Sequence, residues 1–345
     1  MLCAMSSLAG FIARLPKAEL HVHHVGSASP RIVAELAERH PGVVPSDPEQ
    51  LAEFFAFRDF GHFIEVYLAV VGLIRTPEDV RLLTYEIARE MAEVQQVRYA
   101  ELTCTPFTSV AVGVPIEGYT EAIEDARSTA ERDFGIVLRW IYDIPGESGV
   151  PAADATLDFA LNHPPAGLIG FGLGGPEVGV RRADFAAGFG RARDAGLHCL
   201  PHAGETVGPA EVWAAVRELG AERIGHGIGA VGDPGLLAQL ADRGIVLEVC
   251  PTSNLRTGAV PSLAEHPLPQ LVAAGVPVSL ATDDPGMFDT DLDAEYRVAH
   301  EVLGLGAAEL AEIARTGARA AYCSGELRSR VLAEIDQLLR SYGGE

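Results

Sequence analysis

The chain has 345 residues, of which 48% are hydrophobic, 21% charged and 7% aromatic, a composition that excludes disordered and fibrous classes and leaves room for a large core. Lysine and arginine number 26 against 48 acids, a formal net charge of −22, so nucleic acid and anionic membrane are repelled by the average field and make poor partners. Five scattered cysteines (Cys3, Cys104, Cys199, Cys250 and Cys323) form no C-x-x-C pair or readable disulfide framework, and the first ten residues carry no Lys or Arg ahead of their short apolar stretch. Neither a signal peptide nor a membrane span is expected, and a reducing cytoplasm suits the unpaired thiols.

Short apolar runs alternate with amphipathic stretches along the chain. Eight runs read as strands: 19–23, 97–102, 136–141, 168–172, 197–203, 223–227, 245–249 and 277–280. Helical periodicity fills the gaps at 77–94, 119–132, 184–195, 209–219, 234–243 and 267–274, and 330–340 reads as a terminal helix. Alternation of this kind implies right-handed parallel β-α-β units, and eight repeats without a linker favour a closed (β/α)₈ TIM barrel of 1–345 as a single domain. A doubly wound open sheet fits the same alternation. The one long insertion, 27–96, carries Phe54, Phe55, Phe57, Phe60, Phe63 and Tyr67. Their spacing suits a helical core, and equally a helical lid over the barrel mouth in which Phe60 and Phe63 contact a planar substrate.

Four motifs fall at the C-terminal ends of predicted strands, where barrel enzymes place their chemistry. His21-Val22-His23 ends the first strand, and residues two apart on a strand point the same way, as two metal ligands must. His24 beside them leaves open which pair matters. Pro201-His202-Ala203-Gly204-Glu205 ends the fifth and adds an imidazole with a carboxylate beyond a glycine turn. Gly225-His226-Gly227 ends the sixth, its glycines permitting close approach. Thr282-Asp283-Asp284-Pro285 follows the eighth, with adjacent carboxylates that point to different sides. Any one of these could be structural; their coincidence at one end of a barrel is what argues for a site. Three histidines and an aspartate suit Zn²⁺ first, with Fe²⁺ or Mn²⁺ in second place, and such an ion lowers the pKa of water to near neutrality. Glu205 is then placed to handle a proton on the substrate, and His226 or Asp284 to hold the nucleophile. Spacing thus reaches a metallohydrolase.

These residues, with Leu15-Pro16-Lys17-Ala18-Glu19-Leu20 before them and Cys250-Pro251-Thr252-Ser253-Asn254 between, resemble in order the adenosine deaminase family of the amidohydrolase superfamily. The resemblance implies a (β/α)₈ barrel with one zinc held by His21, His23, His202 and Asp283. It further implies Glu205 as the proton donor to purine N1, His226 and Asp284 as the residues that orient and deprotonate the attacking water, and the backbone N–H of Gly175 as a contact to purine N3. The product would be a 6-oxopurine and ammonia, and the partner a small purine nucleoside.

One departure stands out. Members of that family acting on adenosine carry an acid two residues after the second ligand histidine, where it meets the ribose 5′-hydroxyl; here Val25 stands there. Valine cannot accept that hydrogen bond and leaves apolar room, which implies a 5′-modified adenosine. Among the wider family's substrates this points to 6-amino-6-deoxyfutalosine of the alternative menaquinone pathway, converted to futalosine, with adenosine or adenine as the alternative. An aryl carboxylate on such a substrate would call for a cation at the mouth, such as Arg58, Arg75 or Arg181. Two-metal amidohydrolases usually need a bridging lysine on the fourth strand, and 168–172 has none.

Overall fold

The computed structural model describes residues 7–58 and 60–343. Its eight strands are β1 (Lys17–His23), β2 (Val97–Cys104), β3 (Val137–Pro145), β4 (Leu168–Gly174), β5 (His198–Ala203), β6 (Arg223–His226), β7 (Val246–Val249) and β8 (Val278–Leu280). They lie side by side in chain order, every neighbouring pair parallel. The ring is completed just past β8: Asp283 N–H donates to His21 O (3.0 Å) and His23 N–H to Asp283 O (2.7 Å), around a parallel bridge between Val22 and Asp283. A barrel, and not an open sheet, is therefore the fold. Among the described residues no helix is long and apolar enough to cross a membrane, and Cys104, Cys199, Cys250 and Cys323 are free thiols, Cys3 lying outside the described residues.

The strands β2, β3 and β4 run two to four residues beyond their predicted ends, to Cys104, Pro145 and Gly174. The apolar runs stop where side chains begin to face the barrel mouth, but the backbone ladder continues through Thr103, Asp143 and Gly174. At the other end, β1 begins at Lys17, whose buried ammonium donates to Ile12 O and Leu15 O, both at 2.8 Å, and pairs with Asp293. The stretch 209–219 is a helix, Pro209–Ala214, that continues as a π-turn, Ala215–Leu219. The stretch 184–195 opens as the 3₁₀ turn Arg182–Phe185 before its helix, Ala186–Asp194.

The insertion is helical. Pro30–Arg39, Pro48–Phe54 and Pro77–Val94 each start with proline after a capping Ser29, Asp47 or Thr76, whose oxygen accepts an orphan N–H while the proline presets φ. Between the last two lies Phe60–Val71, whose face carrying Phe63, Ile64, Tyr67 and Leu68 covers the barrel mouth. Phe63 is held from behind by Phe57 (ring centroids 5.3 Å) and Phe288 (5.0 Å). Phe60 begins this helix, but its side chain lies outside the described residues.

Candidate active site

The strand ends bring the four motifs to one cavity. It is lined by His23, His202, Glu205, His226, Asp283 and Asp284 on the barrel, with Thr105, Thr108, Asp143, Pro145, Glu147, Thr257 and Gly175, under the lid residues above. One atom each from His21, His23, His202 and Asp283 lies within 4.8 Å of the others. His23 Nε2 stands 3.1 Å from His202 Nε2 and 3.1 Å from Asp283 Oδ1, and His21 Nε2 stands 3.6 Å from that oxygen. Ligands at zinc distances in a tetrahedron lie about 3.3 Å apart, so these spacings suit a small cation. His24 takes no part: its Nε2 meets Thr84 Oγ1 at 2.8 Å away from the cluster, which singles out His21 and His23 as the pair.

The surroundings prepare the donors. His21 Nδ1 lies 3.1 Å from Glu248 Oε2, so its proton sits on Nδ1 and its Nε2 lone pair faces the cluster, buried and with no hydrogen-bond partner. Glu248 is fixed by Arg223 Nε at 2.5 Å, and Arg223 also grips Glu101 inside the barrel. Gly225 gives His21 its space, since a Cβ there would lie 2.4 Å from His21 Cε1. Although burial disfavours charge on His21, the Asp283 and Glu248 carboxylates beside it outweigh burial and raise its pKa to about 10. Asp283 is buried too, yet the imidazoles of His21 and His23 beside it hold it well below the usual carboxylate range. Surroundings that retain a proton on imidazole this strongly also favour a metal cation in its place.

Three further groups face the cluster. Glu205 Oε2 and Asp283 Oδ2 lie 3.7 and 3.8 Å from His226 Nε2. Burial, with the charges of Asp283 and Glu177, pushes Glu205 up to about 8, and burial beside Asp283 pushes Asp284 up to about 7. Asp284 Oδ1 is buried without a partner. His226 and Asp283 both adopt left-handed backbone (φ 59° and 66°), a conformation costly for residues with a Cβ and concentrated at functional sites. Glu205 does not cap the next helix, whose N-cap is Gly208 without a side-chain bond.

Residues to which the sequence assigned no role hold this arrangement. The Glu177 carboxylate accepts the backbone N–H groups of Gly204 (2.6 Å), Glu205 (2.8 Å) and Thr206 (2.7 Å), and Arg182 beside it donates to His202 O (2.9 Å). The 250–254 motif gains its purpose here: Ser253 Oγ donates to Asp283 Oδ2 (2.6 Å) and Asn254 meets His226 Nδ1 (3.1 Å). Gly175, at φ 76°, lies in the cavity wall against Glu147. Val25 is half-buried against the apolar core, and the wall forms without it. Nor does the wall include Arg58, Arg75 or Arg181: Arg75 Nε caps Gly72 O, Arg181 pairs with Asp184 at 2.5 Å, and Arg58 is exposed. Each is engaged by, or extends from, its own surface segment.

A barrel whose mouth gathers imidazoles and carboxylates around one cation position defines a metal-dependent hydrolase. The chain belongs to the adenosine deaminase family, whose model, described as adenosine deaminase, matches residues 16–338. The aminodeoxyfutalosine deaminase of Streptomyces coelicolor is 59% identical over 332 residues, 95% of this chain and 86% of that protein. Among solved structures, the adenine deaminase of Arthrobacter aurescens superposes with a TM-score of 0.90 at 32% identity, covering 94% of this chain and 99% of that one. An amidohydrolase from Burkholderia ambifaria with bound Zn superposes with a TM-score of 0.89 at 27% identity, covering 98% and 95%.

Proposed function

We propose that this enzyme hydrolytically deaminates the purine C6 position of 6-amino-6-deoxyfutalosine, a 5′-substituted adenosine, releasing ammonia and futalosine in menaquinone biosynthesis. The observation that carries the chemistry is that the His21, His23, His202 and Asp283 cluster opens into the same cavity as Glu205, His226 and Asp284. The likeness to the Streptomyces coelicolor enzyme supports the substrate. Those four residues would hold one divalent ion, Zn²⁺ in first place, which when bound supplies Lewis acidity and an acidified water.

The chain's own groups then divide the proton work. Asp284 Oδ1, without a protein partner, takes the proton of the attacking water. His226 is neutral, since burial pushes its pKa down to about 3, and its proton is located by a relay. Leu268 N–H donates to His266 Nδ1 (3.1 Å), so His266 Nε2–H donates to Asn254 Oδ1 (3.1 Å), and Asn254 Nδ2–H donates to His226 Nδ1. His226 therefore carries its hydrogen on Nε2 and orients the water by donating to its oxygen. Glu205, protonated at neutral pH by burial, gives its proton to purine N1 as C6 is attacked, while Gly175 N–H meets N3. Phe63 and Tyr67 close over the ring and exclude bulk water.

The test is deamination of adenine, adenosine, 5′-methylthioadenosine and 6-amino-6-deoxyfutalosine by the zinc-loaded enzyme, followed as ammonia release. The expected result is a kcat/KM for 6-amino-6-deoxyfutalosine larger than the others by orders of magnitude. Adenine or adenosine in first place would overturn the substrate assignment.

A further inference from the structure

The reacting groups occupy one side of the cavity, at the ends of β5, β6 and β8. The opposite wall is built by β2 and β3, with Thr105, Thr108, Asp143 and Pro145. In an eight-stranded ring β2 and β3 stand across from β6 and β7. Glu205 follows β5 and Gly175 follows β4, so a purine whose N1 meets the first and whose N3 meets the second turns N9, next along its rim, toward β3 and this wall, and with it the sugar.

On that wall Asp143 is exceptional. It is 3% exposed, it lines the cavity, and its Oδ1 is buried with no hydrogen-bond partner. No lysine or arginine lines the cavity among the described residues. Leaving a buried carboxylate oxygen unpaired costs roughly 1–3 kcal/mol or more, so its retention here points to a partner supplied from outside the chain. The neighbouring strand is cut back to admit the carboxylate. A Cβ at Gly172 would lie 2.6 Å from Asp143 Oδ1, and one at Gly174 2.7 Å from Oδ2. Thr108, by contrast, spends its hydroxyl hydrogen on Thr105 O at 2.8 Å.

The chemistry of the ligand narrows what that partner is. Burial pushes Asp143 up to about 7; above that pH the carboxylate is ionised and only accepts, so it needs a donor. In a 5′-substituted adenosine N3, N7 and the ring oxygen only accept, the 6-amino group sits at the reacting centre, and the 5′-hydroxyl is gone. The remaining neutral donors are the 2′- and 3′-hydroxyls. We propose that the Asp143 carboxylate accepts a hydrogen bond from one of these ribose hydroxyls and so makes the cavity specific for a ribonucleoside. The assignment rests on the nucleoside reading above and adds the residue that recognises the sugar from the β3 side, a position independent of Val25.

The test crosses protein and substrate changes. Zinc-loaded wild type, Asp143→Ala and the near-isosteric Asp143→Asn are assayed on 5′-deoxyadenosine, 2′,5′-dideoxyadenosine, 3′,5′-dideoxyadenosine and adenine. In the wild type, removing one of the two hydroxyls should lower kcat/KM on the order of 10–100-fold. In Asp143→Ala the same removal should cost no more than about threefold, the mark of a lost pairing. Asp143→Asn, which keeps the shape and loses the charge, should give an intermediate ratio and serves alone if the alanine variant does not fold. A wild-type enzyme indifferent to both hydroxyls, or a penalty equal in wild type and variants, would overturn the assignment while leaving nucleoside deamination intact. Turnover of adenine with none of the three nucleosides would overturn the nucleoside reading itself, and this assignment with it.

Discussion

Leu268 contributes one backbone N–H to His266 Nδ1, and through two more hydrogen bonds that donor decides where the His226 proton sits. Asn254 is the middle of the relay, with both ends of its amide committed. Asn254→Ala should free His226 to place its hydrogen on Nδ1 and turn a lone pair toward the water, losing the donated bond. We expect kcat to fall by about tenfold or more, the scale of one hydrogen bond at a reacting centre, with KM and bound zinc nearly unchanged. Loss of zinc, or a rise in KM at constant kcat, would show that Asn254 serves the fold or binding instead. The histidines and the Asp283-Asp284 pair were legible in the sequence because metal and proton chemistry restricts residue type, and because each ends a strand. Asn254 stood in the 250–254 motif without a role, and Glu177 and Asp143 had none assigned, since their meaning lies in contacts with residues far along the chain: Asn254 with His226, and Glu177 with the 204–206 backbone.

The inserted helices depend on a single buried acid. Asp79 sits at the third position of the helix Pro77–Val94 and closes a capping box with Thr76. Its carboxylate also meets His40 Nε2 (2.7 Å) and Arg39 Nη2 (3.0 Å) at the end of Pro30–Arg39, tying the two helices together. Burial alone would raise its pKa, but the hydrogen bond from His40, the Arg75 N–H and the charge of Arg39 outweigh it and leave it lowered. A carboxylate whose folded pKa lies below its unfolded value of about 3.9 contributes stability that is full above the unfolded pKa and is lost as pH falls through the folded one. Asp79→Asn should therefore cost about 1–3 kcal/mol near neutral pH, and the gap from wild type in urea unfolding should shrink as pH drops below about 4. A gap independent of pH would mean that its charge contributes nothing. At this scale the Thr-Pro start of 77–94 was legible with its helix, whereas Pro30–Arg39 and Pro48–Phe54 were read only as part of a helical insertion, their Ser-Pro and Asp-Pro starts opening helices of ten and seven residues, too short for a clear period. The outer ends of β2, β3 and β4 were hidden, because residues facing a polar cavity break the apolar run without breaking the ladder.

The barrel as a whole closes unevenly. From β1 to β7 each strand pairs with the next through a ladder, and β7 pairs with β8 over three residues, but the return to β1 rests on two backbone hydrogen bonds around Asp283. Asp283 thus carries two burdens, holding the seam by its backbone and facing His21 and His23 with its carboxylate. A metal held by His21, His23, His202 and Asp283 would join β1, β5 and the end of β8 across the weakest point of the ring. Binding to the folded state alone stabilises it by mass action, about 4 kcal/mol at a thousandfold excess over Kd. Chelation should therefore lower the melting temperature as well as abolish turnover, and stoichiometric zinc should restore both. The stabilisation should also be local: amide hydrogen exchange on chelation should quicken most at 21–23 and 280–284, and little in β2 to β4, whose ladders do not involve the cluster. Uniform quickening around the ring would mean that the metal stabilises the fold globally and that the backbone seam is sufficient by itself.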